Sequence, residues 1–372
     1  MRSERMAFRG SPGIDMPLLI AVVAIVTLGL VNLYSATSVY ANDAQRVRLA
    51  DIYVSQIYWI VVGTLLAILF ASIDYRNFER LAMLAYFGGL VGLGLVFVLA
   101  PSVRGAARWI AIGSFALQPS EFMKIVLILA IARFLHNDPK TEPKTLFDLL
   151  PIFLVTVVPV AFVMAQPDLG TSLIYVLIAG TMLAMTRIRK RSVLTLSVLV
   201  GGAIFIGWNY LLLPYQKARV TSFLDPEADK TGTGWHALQA QTAIGNGQLL
   251  GEGFMQGTQN QFQFLPDQYS DFPFAVFCED WGFVGATFLL GLYCFACVWA
   301  IHVASQAKDR FGAAIAVGVA ANIFWHVVFN VGMAIGLLPV VGVTLPLFSY
   351  GGSSAITILI GLGLLMNVSM RR

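Results

Sequence analysis

Long apolar runs, separated by short polar segments, fill most of the chain. A helix needs about 20 apolar residues to cross the hydrocarbon core of a bilayer, and runs near that length recur from one end of the sequence to the other. Ten spans are predicted, at residues 16–36, 56–73, 79–100, 119–136, 147–166, 170–187, 192–213, 272–302, 311–338 and 344–369. The pattern therefore predicts an all-α polytopic membrane protein with a single integral membrane domain over residues 1–372.

The segment between the seventh and eighth spans, residues 214–271, departs from this pattern. It is rich in Gly, Gln and charged residues, and it is far longer than a connection between two helices requires. Long loops in compact folds are usually functional or disordered. Because this one contains many aromatic residues and few Ser or Pro tracts, we expect an ordered, functional loop.

Composition supports the membrane interpretation. Charged residues make up 12% of the chain, about half of the roughly 25% that soluble domains carry, and the mean hydropathy is +0.76. The net charge of +4 could suggest binding to nucleic acid, but most basic residues lie in short loops between apolar runs. Membrane topology explains them better, and we expect no nucleic-acid partner.

The distribution of basic residues predicts the orientation. Segments on the same side as the N-terminus contain 16 Lys and Arg residues, segments on the other side contain 7, and Lys124 lies within a span. Lys and Arg are enriched in cytoplasmic loops. We therefore expect both termini in the cytoplasm and the 214–271 loop on the extracytoplasmic side.

Charged residues inside spans are costly and are candidates for a functional site. Lys124 follows Glu121 by three residues, so the two share one face of the fourth span and can form an ion pair. That pair either fixes helix packing or belongs to a site just below the outer boundary, beneath Arg108 and Trp109. Asp168, at the start of the sixth span, is expected to cap that helix, to orient Lys124, or to do both.

Asp271 marks the end of the long loop, where aromatic and apolar residues follow at once. A carboxylate at such an edge is either a simple N-terminal charge favoured by the helix dipole or a partly desolvated general base. Glu279, two turns deeper, is structural or part of a relay. The tract 347–354 predicts either close helix approach or a non-helical stretch lining a cavity. We interpret His326 as a satisfied buried histidine, since no second metal ligand is spaced to join it.

Two functional classes fit these observations. A transporter gathers its intramembrane charges near the bilayer centre and often has repeated halves, whereas an enzyme acting on a lipid-linked substrate needs them near the head groups. Here the charges collect at the outer boundary, on the side of the long loop, which favours the enzyme. The chain has no Walker motif, G-x-G-x-x-G or extended His/Cys cluster, so nucleotide and tight metal chemistry are not supported.

Four segments together resemble the SEDS family of peptidoglycan synthesis proteins. They are RGAARWIAIGSFALQPSEFMK (104–124), AQPDLGTS (165–172), the stretch 223–276 and NVGMAIGLLPVVGVTLPLFSYGGSS (330–354). Within the SEDS family, FLDPE (223–227) and GTQNQ (257–261) resemble the RodA branch, which serves elongation, more than the FtsW branch. The family's P-E-x-H-T-D-F pattern appears here with Asp267, Tyr269 and Asp271, so the histidine is absent and the aspartate is kept.

The resemblance implies a peptidoglycan glycosyltransferase that polymerises lipid II on the outer face of the bacterial cytoplasmic (inner) membrane. Its implied partners are a class B penicillin-binding protein and the elongation complex. No organic cofactor is expected, and a divalent cation is left open. The resemblance implies that Asp271 is the catalytic base and that Trp109 is a surface for sugar or lipid. The cations for the diphosphate would be Arg108, Lys124, Arg219 and Lys217. The supporting groups would be Glu121, Asp168 and Glu279. The rival interpretations are a lipid II flippase and a non-catalytic scaffold for the penicillin-binding protein.

The orientation can be tested by labelling single cysteines in intact cells, with Cys278, Cys294 and Cys297 replaced by alanine. A cysteine replacing Gly232 is expected to react with an impermeant thiol reagent, because the long loop faces outward. A cysteine replacing Arg189 is expected to stay protected until the cells are opened. The reverse labelling pattern would contradict the predicted topology.

Overall fold

The chain is described by a computed structural model that covers residues 13–38, 43–100, 108–112, 115–140, 142–226, 229, 232–262, 264–265 and 267–372, with the backbone alone at 43–50, 112, 115, 211, 215 and 233. Its helices are α1 Met16–Thr37, α2 Asp43–Ser72, α3 Tyr75–Leu99, α4 Pro119–His136, α5 Leu146–Ala165, α6 Leu169–Leu183, α7 Lys190–Ile206, α8 Pro214–Leu224, α9 Thr233–Asn246, α10 Thr258–Gln261, α11 Pro273–Gln306, α12 Arg310–Ala334 and α13 Gly352–Met370. A π-helical turn, Gly207–Leu211, follows α7. The strands β1 Ile110–Ile112 and β2 Phe115–Leu117 pair antiparallel, with Ile110 opposite Leu117.

The predicted fold class, an all-α polytopic membrane protein, is confirmed. Among the described residues, eight helices are long and apolar enough to cross a membrane: α1, α2, α3, α5, α7, α11, α12 and α13. The other two predicted spans also form helices. However, α4 carries Glu121, Lys124 and Arg133 within 18 residues, and α6 has only 15 residues. Ten spans therefore stays a prediction.

The predicted tenth span, 344–369, is wrong at its start. The chain is irregular from residue 335 to 351, and α13 begins only at Gly352. The freed backbone groups have other partners: the Leu345 amide donates to Ser349 Oγ at 2.7 Å, and the Tyr350 amide donates to the Tyr269 carbonyl at 2.8 Å. Non-helical backbone persists at membrane depth only when it is satisfied in this way. Both alternatives for 347–354 are met in part. The residues up to 351 are non-helical, whereas 352–354 begin α13, where a Cβ on Gly352 would lie 2.5 Å from Trp59 Cδ2 on α2.

Other predicted boundaries shift as well. The ninth span, predicted to reach residue 338, ends at Ala334, and the sixth ends at Leu183 rather than 187. Helix α2 begins at Asp43, earlier than residue 56. The long 214–271 segment is not a plain loop, because it contains α8, α9 and α10.

Helices α4, α12 and α13 form the centre of the bundle, and α7 lies at its edge. Nearly every residue of α13 is buried, whereas Ser192 is the one buried residue of α7 within the described chain. Helix α13 packs closely along α2. A Cβ atom on Gly363 would lie 2.8 Å from the Cα atom of Ala67, so a side chain at this position would push the two backbones apart. Small residues permit such close helix contacts in membranes.

Helix α11 is broken at Gly282, whose φ of 64° and ψ of −165° are non-helical. The segment before it in the chain fills the break. The amides of Phe283 and Val284 donate to the carbonyls of Gln248 and Leu249 at 2.9 and 3.1 Å. A Cβ on Gly282 would lie 2.7 Å from the Gly247 carbonyl oxygen. Only glycine suits this backbone conformation.

We expect Gly282→Ala to destabilise the protein, because the new Cβ meets strained φ/ψ angles and the docked segment at once. The cost should be about 1–3 kcal/mol from backbone strain alone. It can be measured as a lowered midpoint of thermal unfolding in detergent. Gly291→Ala is the matched control, since it lies in the same helix with nothing within 4 Å of the new Cβ. Equal effects of the two substitutions would contradict this account of the break.

Candidate active site

A cavity of about 690 Å³ opens at one end of the bundle. Successive helices alternate in direction, so the starts of α4, α6, α11 and α13 and the end of α12 meet at this end. Its polar lining comes from α2, α4, α6, α12 and α13 and from the connecting segments, including the one just before α11. The lining includes Arg108, Trp109, Gln118, Glu121, Asp168, Asp267, Tyr269, Asp271, His326, Thr344, Tyr350 and Ser354. Five of the nine residues proposed from sequence therefore share one cavity wall.

Asp271 lies just before α11 and is held by its main chain. The Asn330 side-chain amide donates to the Asp271 carbonyl at 2.9 Å and to the Val343 carbonyl at 2.8 Å. Burial, and to a lesser extent the nearby Asp267, raises the pKa of the Asp271 carboxyl to about 6, although a Ser270 hydrogen bond and the charges of Arg219 and Arg108 act in the opposite direction. A carboxylate with a pKa near neutrality suits a general base.

Lys124 lies behind the cavity wall, 1% exposed. Its Nζ forms an ion pair with Glu121 Oε2 at 2.7 Å and a hydrogen bond with His326 Nε2 at 2.8 Å. Glu121 and His326 both line the cavity, whereas Lys124 is enclosed between them. The predicted Glu121–Lys124 pair is present, and the structure adds a third member.

Arg108 is held by the tight turn between α5 and α6. Its guanidinium donates to the carbonyls of Gln166, at 3.3 Å, and Pro167. It also lies 3.8 Å from Asp168 Oδ1. Since both carbonyls lie next to the end of α5, the arginine is oriented by backbone as well as by charge.

Asp168 caps α6, as one of its two predicted roles required. Its Oδ1 accepts from the Thr171 amide at 3.2 Å and its Oδ2 from the Thr171 hydroxyl at 2.9 Å. Gln118 Nε2 donates to Oδ2 at 3.3 Å. The charge partner of this carboxylate is Arg108, rather than Lys124, so the predicted orienting role falls on a different cation.

Besides Lys124, three of the predicted site residues lie outside the cavity lining, namely Arg219, Lys217 and Glu279. Arg219 lines a small adjoining cleft beside Gln241 and Gly336, although its charge still acts on Asp271. Lys217, among the described residues, lines neither space.

Glu279 has a structural position. Its carboxylate accepts from the amides of Gln259 at 2.8 Å and Asn260 at 3.3 Å, which lie in the short helix α10. It is fully buried and does not line the cavity. Of the two roles left open for it, the structural one matches these contacts.

His326, Thr344 and Asp267 are cavity residues that reasoning from the sequence did not place in the site. A signal existed for the first: Asn322, His326 and Asn330 are spaced four residues apart, which puts three polar groups on one face of the apolar helix α12. No such signal existed for Thr344, because its position depends on the irregular segment before α13. Across the described chain, no three His, Cys, Asp or Glu side chains group as a metal site, and a divalent cation stays untested.

Comparison with known proteins agrees with this architecture. A family model described as a cell cycle protein, FtsW/RodA/SpoVE, matches residues 16–372. The peptidoglycan glycosyltransferase MrdB of Escherichia coli K12 is 37% identical over 91% of this chain and 90% of its own length. The peptidoglycan glycosyltransferase RodA of Treponema pallidum is 32% identical over 99% of this chain and 100% of its own.

Solved structures agree as well. A chain from a study of how a peptidoglycan synthase complex coordinates polymerization and crosslinking matches with a TM-score of 0.81 at 32% identity, over 96% of this chain and 98% of that one. The rod shape determining protein RodA of Thermus thermophilus matches with a TM-score of 0.69 at 29% identity, over 96% and 97%.

The fold and cavity together define a polytopic α-helical membrane protein with a buried, charged site at one end of its bundle. The chain belongs to the FtsW/RodA/SpoVE family of cell cycle proteins. The SEDS resemblance seen in its motifs is thereby confirmed.

Proposed function

We propose that this protein is a peptidoglycan glycosyltransferase that polymerises lipid II into glycan strands for cell-wall elongation. The observation that carries the proposal is one cavity lined by the Asp271 carboxylate, Arg108 and Glu121, with Lys124 paired to Glu121 just behind the wall. Relatives that span nearly the whole chain are named for this activity. The substrate is a disaccharide pentapeptide on an undecaprenyl diphosphate.

The chemistry asks for a base and for positive charge in one place. The acceptor sugar 4-hydroxyl attacks the anomeric carbon of the donor, Asp271 takes the hydroxyl proton, and the lipid diphosphate leaves as the glycosidic bond forms. Charge develops on the diphosphate as the bond to the sugar breaks. Arg108 and the Lys124 ammonium are the cations that stabilise it there, with Arg219 contributing from the adjoining cleft. Lys217 is a weaker candidate, because it lines neither space.

Trp109 offers an exposed aromatic face in the same wall, 40% exposed, on which a sugar ring or lipid chain can pack. The carboxylates of Asp267 and Asp271 are oxygen ligands of the kind that Mg²⁺ and Ca²⁺ prefer. A cation held there would help to neutralise the charge of the diphosphate.

We place the cavity on the extracytoplasmic face of the bacterial cytoplasmic membrane, with both termini inside, on the support of the 16-to-7 bias in basic residues. The partner we propose is a class B penicillin-binding protein within the elongation complex. The similarity to a chain from a peptidoglycan synthase complex supports a partner of this kind.

The activity can be tested with purified protein and lipid II, with and without the penicillin-binding partner. Wild-type protein is expected to produce glycan polymer, and Asp271→Asn is expected to produce none while inserting and folding normally, because the amide cannot accept the proton. Asp225→Asn makes the same chemical change at an exposed position outside the cavity and should retain activity. Lipid movement without polymer would identify a flippase instead, and neither activity would identify a scaffold.

The pH dependence of polymerisation tests Asp271 as the base. A base works when ionised, so the rate should rise with pH and level off above about 6, following the raised pKa of Asp271. Asp267→Asn removes a negative charge that raises this pKa. The rising part of the pH–rate curve, its acidic limb, should therefore move to lower pH. Initial rates measured from about pH 5 to about pH 8 give the pH at which the rate is half-maximal, whatever the maximal rate of the variant. An unmoved limb, or one moved to higher pH, would contradict the assignment.

A further inference from the structure

His326 is a buried side chain that the proposed reaction leaves without a role. It lies midway along the polar face of α12, 2% exposed, and it touches both the cavity and Lys124. We propose that His326 is a positioning residue, which holds the Lys124 ammonium in place for an anionic diphosphate bound in the cavity. This inference rests on the proposed function for its choice of ligand, and its geometric basis is independent of it.

The two ring nitrogens of His326 have different partners, which fixes the tautomer. Nδ1 lies 2.9 Å from the Thr344 carbonyl, an acceptor, so Nδ1 must carry the proton. Nε2 lies 2.8 Å from Lys124 Nζ, and an ammonium only donates, so Nε2 must accept. Both contacts are satisfied by one neutral form of the ring. His326 is therefore an acceptor for Lys124 and not a second cation for the substrate.

A buried ammonium needs hydrogen-bond partners, and the choice of partner matters. Lys124 has three N–H donors; His326 accepts one of them at 2.8 Å, and Glu121 Oε2 balances the charge of the ammonium as an ion pair at 2.7 Å. A second carboxylate in place of His326 would also satisfy the donor, but it would leave the group with excess negative charge. The neutral imidazole satisfies the donor without adding charge, so the group of Glu121, Lys124 and His326 has no excess negative charge to repel an anion bound in the cavity.

The positions of Glu121 and His326 place the charge of Lys124 next to the cavity. Glu121 and His326 are both part of the cavity lining, and Lys124 Nζ lies within hydrogen-bond distance of each. The ammonium is therefore one residue layer behind the wall. Shielded from water at that depth, its charge acts on a bound anion more strongly than an exposed lysine would.

The same segment of chain also links His326 to the proposed base. Thr344, which orients the ring, follows Val343, and Val343 shares Asn330 with the main chain of Asp271. Asn330 is one turn beyond His326 on α12. The irregular segment before α13 thus positions the base and, through His326, the cation that faces it.

The test measures binding of farnesyl diphosphate to the full-length protein in nanodiscs by calorimetry, so it needs no polymerisation. His326→Leu removes the acceptor, and the affinity should fall by about tenfold or more, the usual effect of losing a hydrogen bond to a charged group. His326→Gln supplies one acceptor and one donor and should restore affinity to within about threefold. Asn322→Leu, one turn away and 1% exposed, is the matched control and should bind like wild type.

A second variant covers the case in which leucine disturbs folding. His326→Asn keeps a polar group near Thr344 but is too short to reach Lys124, so it should bind as weakly as His326→Leu. The double variant with Lys124→Met should bind no more weakly than Lys124→Met alone, because His326 acts through that lysine. Additive losses would show a merely structural role and overturn the proposal, as would wild-type affinity in His326→Leu and His326→Asn, or no saturable binding by wild type.

The outcome is separable from that of the polymerisation assay. If wild type makes no polymer but the binding pattern holds, the proposed function fails and the positioning role stands. If wild type polymerises lipid II while His326→Leu binds farnesyl diphosphate unchanged, the function stands and the positioning role fails.

Discussion

A lysine ammonium that is 1% exposed inside an apolar bundle is the constraint around which the cavity is organised. Its desolvation is tolerable only with partners in good geometry, and they come from two elements, Glu121 on α4 and His326 on α12. His326 in turn needs the Thr344 carbonyl, which requires that α13 begin late. The irregular segment before α13 is therefore part of the same requirement, and not a defect in a span.

The cations of the cavity are already engaged with protein groups before any ligand arrives. Arg108 is fixed by two carbonyls and Asp168, and Lys124 is fixed by Glu121 and His326. Charges that are held in place in advance need little reorganisation when charge develops on a reacting group, and this preorganisation is a large part of enzymatic electrostatic stabilisation. The same pairing limits the negative charge of the cavity. Of the carboxylates in its lining, Asp168 is paired with Arg108 and Glu121 is paired with Lys124.

The sequence predicts those contacts of the site that join residues close together in the chain. The ion pair between Glu121 and Lys124 follows from a separation of three residues on a helix, and the capping by Asp168 follows from its place before α6. The contact between Lys124 and His326 joins residues 202 positions apart, so no local pattern could reveal it. The late start of α13 was hidden because an apolar, irregular segment has the same composition as a span. Glu279 was expected near the site because it follows Asp271 by eight residues, but the break at Gly282 and the docking of α10 give it another partner.

The break in α11 also makes the position of the site less dependent on the thickness of the bilayer. Thirty-four helical residues would extend about 51 Å at 1.5 Å per residue, well beyond a hydrocarbon core of about 30 Å. With the helix divided at Gly282, the portion after it can tilt to match the lipid around it. The portion before it is tied instead to α1, through Asn32 on Pro273 and Ser35 on Asp280. The position of Asp271 within the bundle is thus set by contacts with α1, and not by the way the longer portion of α11 fits the lipid.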